Sequence, residues 1–550
     1  MPAFQPPAAI ALPALSRRSL LFGGALGLGL AASPLAAQAA RGFTHGVASG
    51  EPGTRSVLLW TRFAASAPTR LRYELSDSAE FAKVRSGGQV TASPERDWCA
   101  KAVAKGLRPG TWYHYRFIAP DGTISAVGRT RTLPDGPTGR FRMAVFSCSN
   151  LGFGYFNAYA HAAEADDFEL AVHLGDYLYE YDSNTYPSEA QRVAGRQPEP
   201  LSEIIQLADY RLRYASYRRD ADLLRLHQLY PMVPVLDDHE SANDSWHGGA
   251  QNHTPETEGP WDARKRAAIR ARNEWLPISD APWARYDIGD LATLFRLETR
   301  LTARDKPLDL GAVTQGLTGE QADAALRSLR EGAWRDPART LLGETQERWL
   351  AKGLASSVRS GRKWQVLAQQ VIMGGLSTPP DLAQRVGTDA PDYVRQRLAA
   401  ATAASRAGLP ANMDAWDGYP AARERLLRAA REANANLVTL TGDSHNAWAF
   451  ELVHGGEPAG VELAGQSVTS PGFEGYLGKL APDELAGSLV AHNPRLRWAQ
   501  TSGRGYMAVE LTPRAAACEW RFSDSVRQRS AALAGTHRMV AAYGARRFTG

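Results

Sequence analysis

Four apolar runs of strand length, each broken off by a short polar motif, constrain this chain more than any other feature of its sequence. They are Phe141–Phe146, Phe168–His173, Met232–Leu236 and Asn436–Thr441, and their length and β-branched or aromatic content predict buried strands. The motifs that follow are Phe146-Ser-Cys148-Ser-Asn150, His173-Leu-Gly-Asp176-Tyr-Leu-Tyr179-Glu180, Leu236-Asp237-Asp238-His239-Glu240 and Thr441-Gly-Asp443-Ser-His445-Asn446. In open α/β sheets, ligands collect beyond the carboxyl ends of the strands, so polar clusters far apart in the chain can meet at one site.

Taken singly, a Gly-Asp or Asp-Asp after a strand reads as a turn or a helix N-cap, and a lone His as a satisfied polar residue. Cys148 has its own plain reading as a small buried hydrophobe. Recurrence behind four apolar runs, with acid–His pairs in two motifs, points instead to a multinuclear metal centre. Carboxylates suit hard di- or trivalent cations, whereas Cys and Tyr bind as anions and favour a more acidic ion such as ferric iron. If Cys148 and Tyr179 are only core residues, the remaining acids and His would suit another metal pair.

Calcineurin-like metallophosphoesterases carry Asp-x-His, Gly-Asp-x-x-Asp, Gly-Asn-His-Glu and Gly-His-x-His blocks at strand ends. The altered set here, Ser-Cys148-Ser, Gly-Asp176-Tyr-Leu-Tyr179, Asp237-Asp238-His239-Glu240 and Gly-Asp443-Ser-His445, resembles the PhoD-like alkaline phosphatase D family. The likeness extends through Leu297-Glu-Thr-Arg300, Glu344-Thr-Gln346-Glu-Arg-Trp349-Leu350 and Trp364-Gln-Val-Leu-Ala-Gln-Gln370. It implies an α/β fold: a two-sheet metallophosphoesterase core flanked by helices in residues 140–550, preceded by a small fibronectin type III-like β-sandwich in residues 41–134. It further implies Fe3+ surrounded by Cys148, Asp176, Tyr179 and His445, with Asp176 bridging to Ca2+ and Asp238 and Asp443 as further oxygen ligands. Asp237 and Asn243 are additional candidate ligands. His239 falls where related phosphoesterases place a histidine that helps near the leaving oxygen. Arg300 follows the strand-like run Leu291–Leu297 and is the candidate bidentate grip on phosphate, with a surface salt bridge as the alternative.

The expected activity is that of an alkaline phosphatase or phosphodiesterase, cleaving phosphate monoesters, diesters or both with water activated at the metals. A phosphoserine route is not expected, because Gly46-Val-Ala-Ser49-Gly50 departs from the Gly-x-Ser-x-Gly spacing and lies far upstream of the four motifs. The alternative is a non-catalytic envelope-binding protein on a phosphoesterase scaffold. A decayed site should have lost acids or His, and none of the four motifs has.

Ser16-Arg17-Arg18-Ser-Leu-Leu precedes a Gly-interrupted apolar stretch and Ala37-Gln-Ala39, which resembles a twin-arginine signal over residues 1–39. The expected partners are therefore the Tat export machinery and a phosphoester substrate, and the expected location is periplasmic or secreted. The stretch is too short and interrupted for a permanent membrane span. The net charge of +5 over 550 residues falls to +3 without Arg17 and Arg18, so nothing calls for a nucleic-acid partner. Three cysteines do not make a disulfide scaffold, and the pairing of Cys99 with Cys518 is left open.

Before the four motifs, short alternating runs such as Ser56–Thr61, Leu71–Leu75, Lys101–Ala104, Thr111–Phe117 and Ile124–Val127 predict the small sandwich, with Leu133–Gly139 as a linker. After it, helices are expected over Asn157–Asp166, Glu203–His227, Trp261–Trp275, Gly319–Arg330, Glu344–Ser357 and Pro420–Ala435. Long connections are expected at Ser183–Pro200, Ser245–Pro260 and Gly375–Trp416. The second holds Trp246, His247 and His253, which are either substrate contacts or plain loop residues. Gly505–Leu511 and Ala517–Phe522 read as closing strands. The basic tail from Arg527 has no strong motif, and whether it caps the site is open.

Overall fold

The computed structural model describes residues 41–386, 392–410, 412–477 and 480–549. The expected export signal, residues 1–39, lies outside them. Among the described residues, no helix is long and apolar enough to cross a membrane.

A ten-stranded and a seven-stranded sheet pack face to face. Between them lie Met143, Val145, Val172, Val233 and Val509 from one sheet and Leu294, Val366, Val438, Leu440 and Val461 from the other, all buried. Each such side chain contributes roughly 1.5–3 kcal/mol when taken fully out of water. Helices Asn157–Ala165, Leu207–Tyr217, Ala221–Leu229 and Trp261–Trp275 cover the outer face of the larger sheet through Tyr159, Tyr214, Leu226 and Trp275. Gly343–Arg359 and Pro420–Glu432 cover the smaller sheet through Leu350, Leu354, Leu426 and Leu427. This is the expected α/β core of two sheets flanked by helices.

The topology brings the motifs together. Strands Phe141–Phe146, Leu170–His173 and Pro231–Pro234 are parallel neighbours, with Phe146 opposite His173 and His173 opposite Pro234. The first three motifs therefore leave the sheet side by side. In the facing sheet, Ala292–Arg296, Trp364–Ala368 and Leu437–Thr441 are also parallel neighbours, with Arg296 opposite Ala368 and Ala368 opposite Leu440. Strands this short are almost wholly apolar because parallel strands are covered on both faces.

The N-terminal sandwich sets the sheet Thr69–Ser76, Val84–Ala92, Trp112–Ile118 and Gly128–Arg131 against Gly42–Gly50, Ser56–Ala64 and Cys99–Lys105, around Leu59, Leu75, Tyr113 and Phe117. Its second layer does not end there. Gly42–Gly50 pairs in parallel with Pro231–Pro234, Ser49 opposite Pro231, so this layer runs on into the ten-stranded sheet. The predicted run Ile124–Val127 is reduced to a single bridge between Ile118 and Ile124, and the paired strand follows at Gly128.

Other differences have local causes. The predicted helix Glu203–His227 is two helices, because the Asp220 carboxylate accepts from the backbone N–H of Asp222 and Leu223 and starts a new one. The long connection after Gly375 carries helix Asp392–Arg406. The tail supplies Leu533–Ala542 and Phe548–Thr549 as outer strands of the ten-stranded sheet. Cys99, Cys148 and Cys518 are all free and buried.

Candidate metal centre

At the ends of the motif strands the backbone turns sharply. Cys148, Asp176, Asp443 and His445 all adopt left-handed conformations, with φ between 54° and 60°. For residues other than glycine such conformations are uncommon and each costs on the order of 1 kcal/mol or more, so the surroundings must hold them. Gly175, with φ +106°, permits a close approach: a Cβ there would lie 2.3 Å from Cβ of Asp237. A Cβ at Gly442 would lie 2.6 Å from that of Ser147.

Two buried residues tie the motif loops together. Glu240 accepts from the backbone N–H of Asp176 at 3.1 Å, Tyr177 at 2.7 Å and Asp237 at 2.9 Å. Gln370 donates to the carbonyl of Leu236, accepts from the Thr299 hydroxyl at 2.7 Å, and through its own carbonyl accepts from the N–H of Gly442 at 2.7 Å.

The motif side chains converge as three overlapping sets whose donor atoms lie within 4.8 Å of one another: Cys148, Asp176 and His445; Asp176, Asp238 and His239; and Asp237, Asp238 and Asp443. Tyr179 completes the first set. Its hydroxyl donates to Asp176 Oδ2 at 3.0 Å, lies 3.2 Å from Nε2 of His445, and accepts from Ser470 Oγ at 2.7 Å. Nδ1 of His445 donates to the carbonyl of Pro471 at 2.8 Å, which leaves Nε2 as the ring's lone-pair nitrogen. His239 donates from Nδ1 to Glu180 Oε2 at 2.7 Å, which leaves Nε2 to the site.

The electrostatics fit a cation. Asp176 Oδ1, Asp237 Oδ2 and Asp238 Oδ1 are buried without a hydrogen-bond partner, a costly state that coordination would relieve. Burial, reinforced by the neighbouring acids Asp238, Glu240 and Asp443, pushes Asp176 well above the usual carboxylate range. Burial and the Asp176 charge likewise push the Cys148 thiol and the Tyr179 phenol up. Burial lowers His445 to about 3, so its imidazole is neutral, as a ligand must be. Burial would also lower His239, but Asp176, Glu180 and Asp238 raise it well above its ordinary value.

Arg300, the candidate phosphate grip of the sequence, lies in the site among its acids. Its side chain is wholly buried, which excludes the surface salt bridge, and its guanidinium is taken up by acids. Nε donates to Asp237 at 2.6 Å, one terminal nitrogen to Asp414 at 2.6 Å, and the other to Asp443 at 3.1 Å while lying 3.5 Å from Asp238. Burial tends to raise Asp238, but Arg300, His239 and the Asp244 N–H overcome it and hold that carboxyl below its usual range. Asn243 borders the same cavity as His239, with its side-chain amide donating to Gln251 at 3.0 Å. In the adjoining loop His247 bonds the Arg304 carbonyl, and His253 is buried against Glu258 and Trp261. Neither borders the cavity.

Sequence reasoning missed Asp414, the second carboxylate on Arg300 and the partner of Arg304, and also Ser470. Both lie in stretches without a motif. Glu180 and Glu240 stand inside the quoted motifs, and an acid beside a candidate ligand was the signal that could have marked them as its support. Next to His239 and His445 opens a cavity of about 250 Å³.

The family model for PhoD-like phosphatases matches residues 143–520, and the model for the N-terminal domain of PhoD-like phosphatases matches residues 29–134. Alkaline phosphatase D of Bacillus subtilis (strain 168) is 33% identical over 521 residues, covering 89% of this chain and 79% of that protein. A solved structure described as that of PhoD superposes with a TM-score of 0.74 at 29% identity, covering 93% of this chain and 92% of the other.

Proposed function

Since the chain belongs to the PhoD-like phosphatase family and is a phosphoric ester hydrolase, we propose that it is an exported, iron- and calcium-dependent enzyme that cleaves phosphate monoesters, diesters or both and so scavenges phosphate. The observation that carries the metal dependence is the convergence of Cys148, Asp176, Tyr179 and His445 beside the unsatisfied oxygens of Asp237 and Asp238. Cys148, Asp176, Tyr179 and His445 would hold iron, and Asp176, Asp238 and Asp443 would hold calcium. When bound, these ions supply Lewis acidity, acidifying water and offsetting phosphoryl charge. The thiol and phenol, both shifted upward by burial, favour a strongly acidic cation in the first set.

The chain's own residues do the rest. His239, oriented through Nδ1 by Glu180, holds a proton at Nε2 for the departing oxygen. Arg300 offsets the charge of Asp237, Asp414 and Asp443, so that these acids can stand together out of water. Glu240 and Gln370 keep the loops in register. Export is supported by the paired arginines Arg17 and Arg18 before an apolar stretch, since the twin-arginine route carries folded proteins.

The test is release of p-nitrophenol from its monophosphate and from the bis ester by protein loaded with iron and calcium. Activity that chelation abolishes, that reloading restores and that Asp176→Asn removes supports the proposal. Full metal content with release from neither ester would overturn it in favour of a non-catalytic envelope-binding role.

A further inference from the structure

The cavity beside His239 and His445 is lined mostly by apolar side chains, with Ser377, Thr378, Arg397, Asn412 and Asp417 also on its wall. Two helices present it with apolar residues four apart, on one face each. Helix Asp392–Arg406 contributes Val394 and Leu398, and helix Pro482–His492 contributes Leu485 and Leu489. Trp448 and Phe473 complete it, their rings edge-on at 6.0 Å. Val394, Trp448, Leu485 and Leu489 belong to one buried apolar cluster that also includes Ile372, Leu382 and Phe450, so the wall is part of a packed core.

Phosphate itself has no use for such a wall, because a dianion gains nothing from Leu and Val. An accidental packing void would not open onto the two imidazoles of the site. At about 250 Å³ the cavity is near the lower end of small-molecule pockets, roughly 300–1,000 Å³. That suits an aryl ring or a short alkyl chain and is too small for a polymer segment.

We infer that this cavity receives the apolar part of the alcohol esterified to phosphorus, making alkyl and aryl phosphoesters the preferred substrates. The inference rests on the phosphohydrolase reading for its chemistry, but the cavity can be tested without turnover. Phosphate seated at the motif residues places its ester oxygen beside His239, and the carbon chain continues between Leu398 and Leu489. Each methylene taken from water then adds to affinity until the cavity is full.

The experiment measures dissociation constants of the non-hydrolysable series from methyl- to octylphosphonic acid by calorimetry on the metal-loaded full chain, beside kcat/KM for the matching alkyl phosphates. Affinity should rise by up to about fourfold per methylene over the first part of the series and then level off. Ala401→Trp, which fills the cavity from helix Asp392–Arg406, should move the plateau to shorter chains, and Leu398→Ala should move it to longer ones, with thermal melting used to verify folding. Affinity independent of chain length in the unaltered protein, or a plateau that neither variant moves, would overturn the inference. Chain-length-dependent binding of the phosphonates with no hydrolysis of any phosphate would sustain the cavity assignment while failing the enzymatic reading on which it was built.

Discussion

The Glu180 carboxylate lies 2.7 Å from Nδ1 of His239 and is itself fully buried, so the imidazole is fixed in position by an ionised neighbour. Glu180 also accepts from the backbone N–H of Asn243 at 2.7 Å, coupling the ring to the loop that borders the cavity. Replacing Glu180 by Gln keeps the shape and removes the charge. The expected result is a fall in kcat of about 10- to 100-fold with little change in KM, the size of effect found when the outer partner of a ligand or catalytic His is lost. Steady-state kinetics on p-nitrophenyl phosphate check this. Unaltered kcat would mean that the contact is structural only.

Arg300 is the counter-ion of several acids that have few other cations near them. Arg300→Met should destabilise metal-free protein at neutral pH by about 3–5 kcal/mol, the usual cost of leaving buried charges unpaired. Calcium should recover part of the loss, because a divalent ion can take over the charge of Asp237, Asp238 and Asp443. Urea denaturation with and without calcium reads both effects. A loss below about 1 kcal/mol would contradict the ion-pair role.

Tyr179 touches Asp176 and His445 and is shifted upward by burial, so only coordination to an acidic metal would make it a phenolate near neutral pH. Aerobically purified protein loaded with iron should show a visible charge-transfer band, and Tyr179→Phe should lose it while retaining calcium. A colourless, fully metallated and active protein would keep the phosphohydrolase and discard iron.

Glu462 is buried between strands and accepts from the N–H of Met373 at 2.7 Å and of Gly374 at 2.6 Å, yet burial raises it to about 7 from its ordinary 4.5. With the folded value above the unfolded one, the folded chain holds the extra proton between these limits. The resulting stability is fully present below pH 4.5, declines as pH rises, and is gone above about 7. Glu462→Gln should remove this dependence, so the stability difference between wild type and variant should shift by about 2–3 kcal/mol between pH 5 and pH 8, in favour of the variant at the higher pH. A difference that is the same at both pH values would refute the assignment.

Much of the core was legible because its signals are local. Phe141–Phe146 and Gly505–Leu511 form strands over the predicted residues, and Trp261–Trp275 forms a helix with the predicted bounds. Apolar content and periodicity dictate such elements whatever lies across the fold. Val84–Ala92, at a sheet edge, and Leu533–Ala542, one strand in from an edge, escaped because each has a single buried residue, so burial leaves no pattern in them.

The sequence by itself therefore determined which side chains would stand at the strand ends, since a buried parallel strand must stop where its apolar run stops, and the Gly-Asp pairs mark the turn. Only the tertiary structure decided what those side chains do to one another. Asp237 and Asp414 are 177 positions apart in the chain and share one guanidinium; Glu240 holds the loop of Asp176; and two remote helices close an apolar wall beside His239. Charge pairing, desolvation and cavity shape depend on distances through space, which residue order sets only after the sheets have packed.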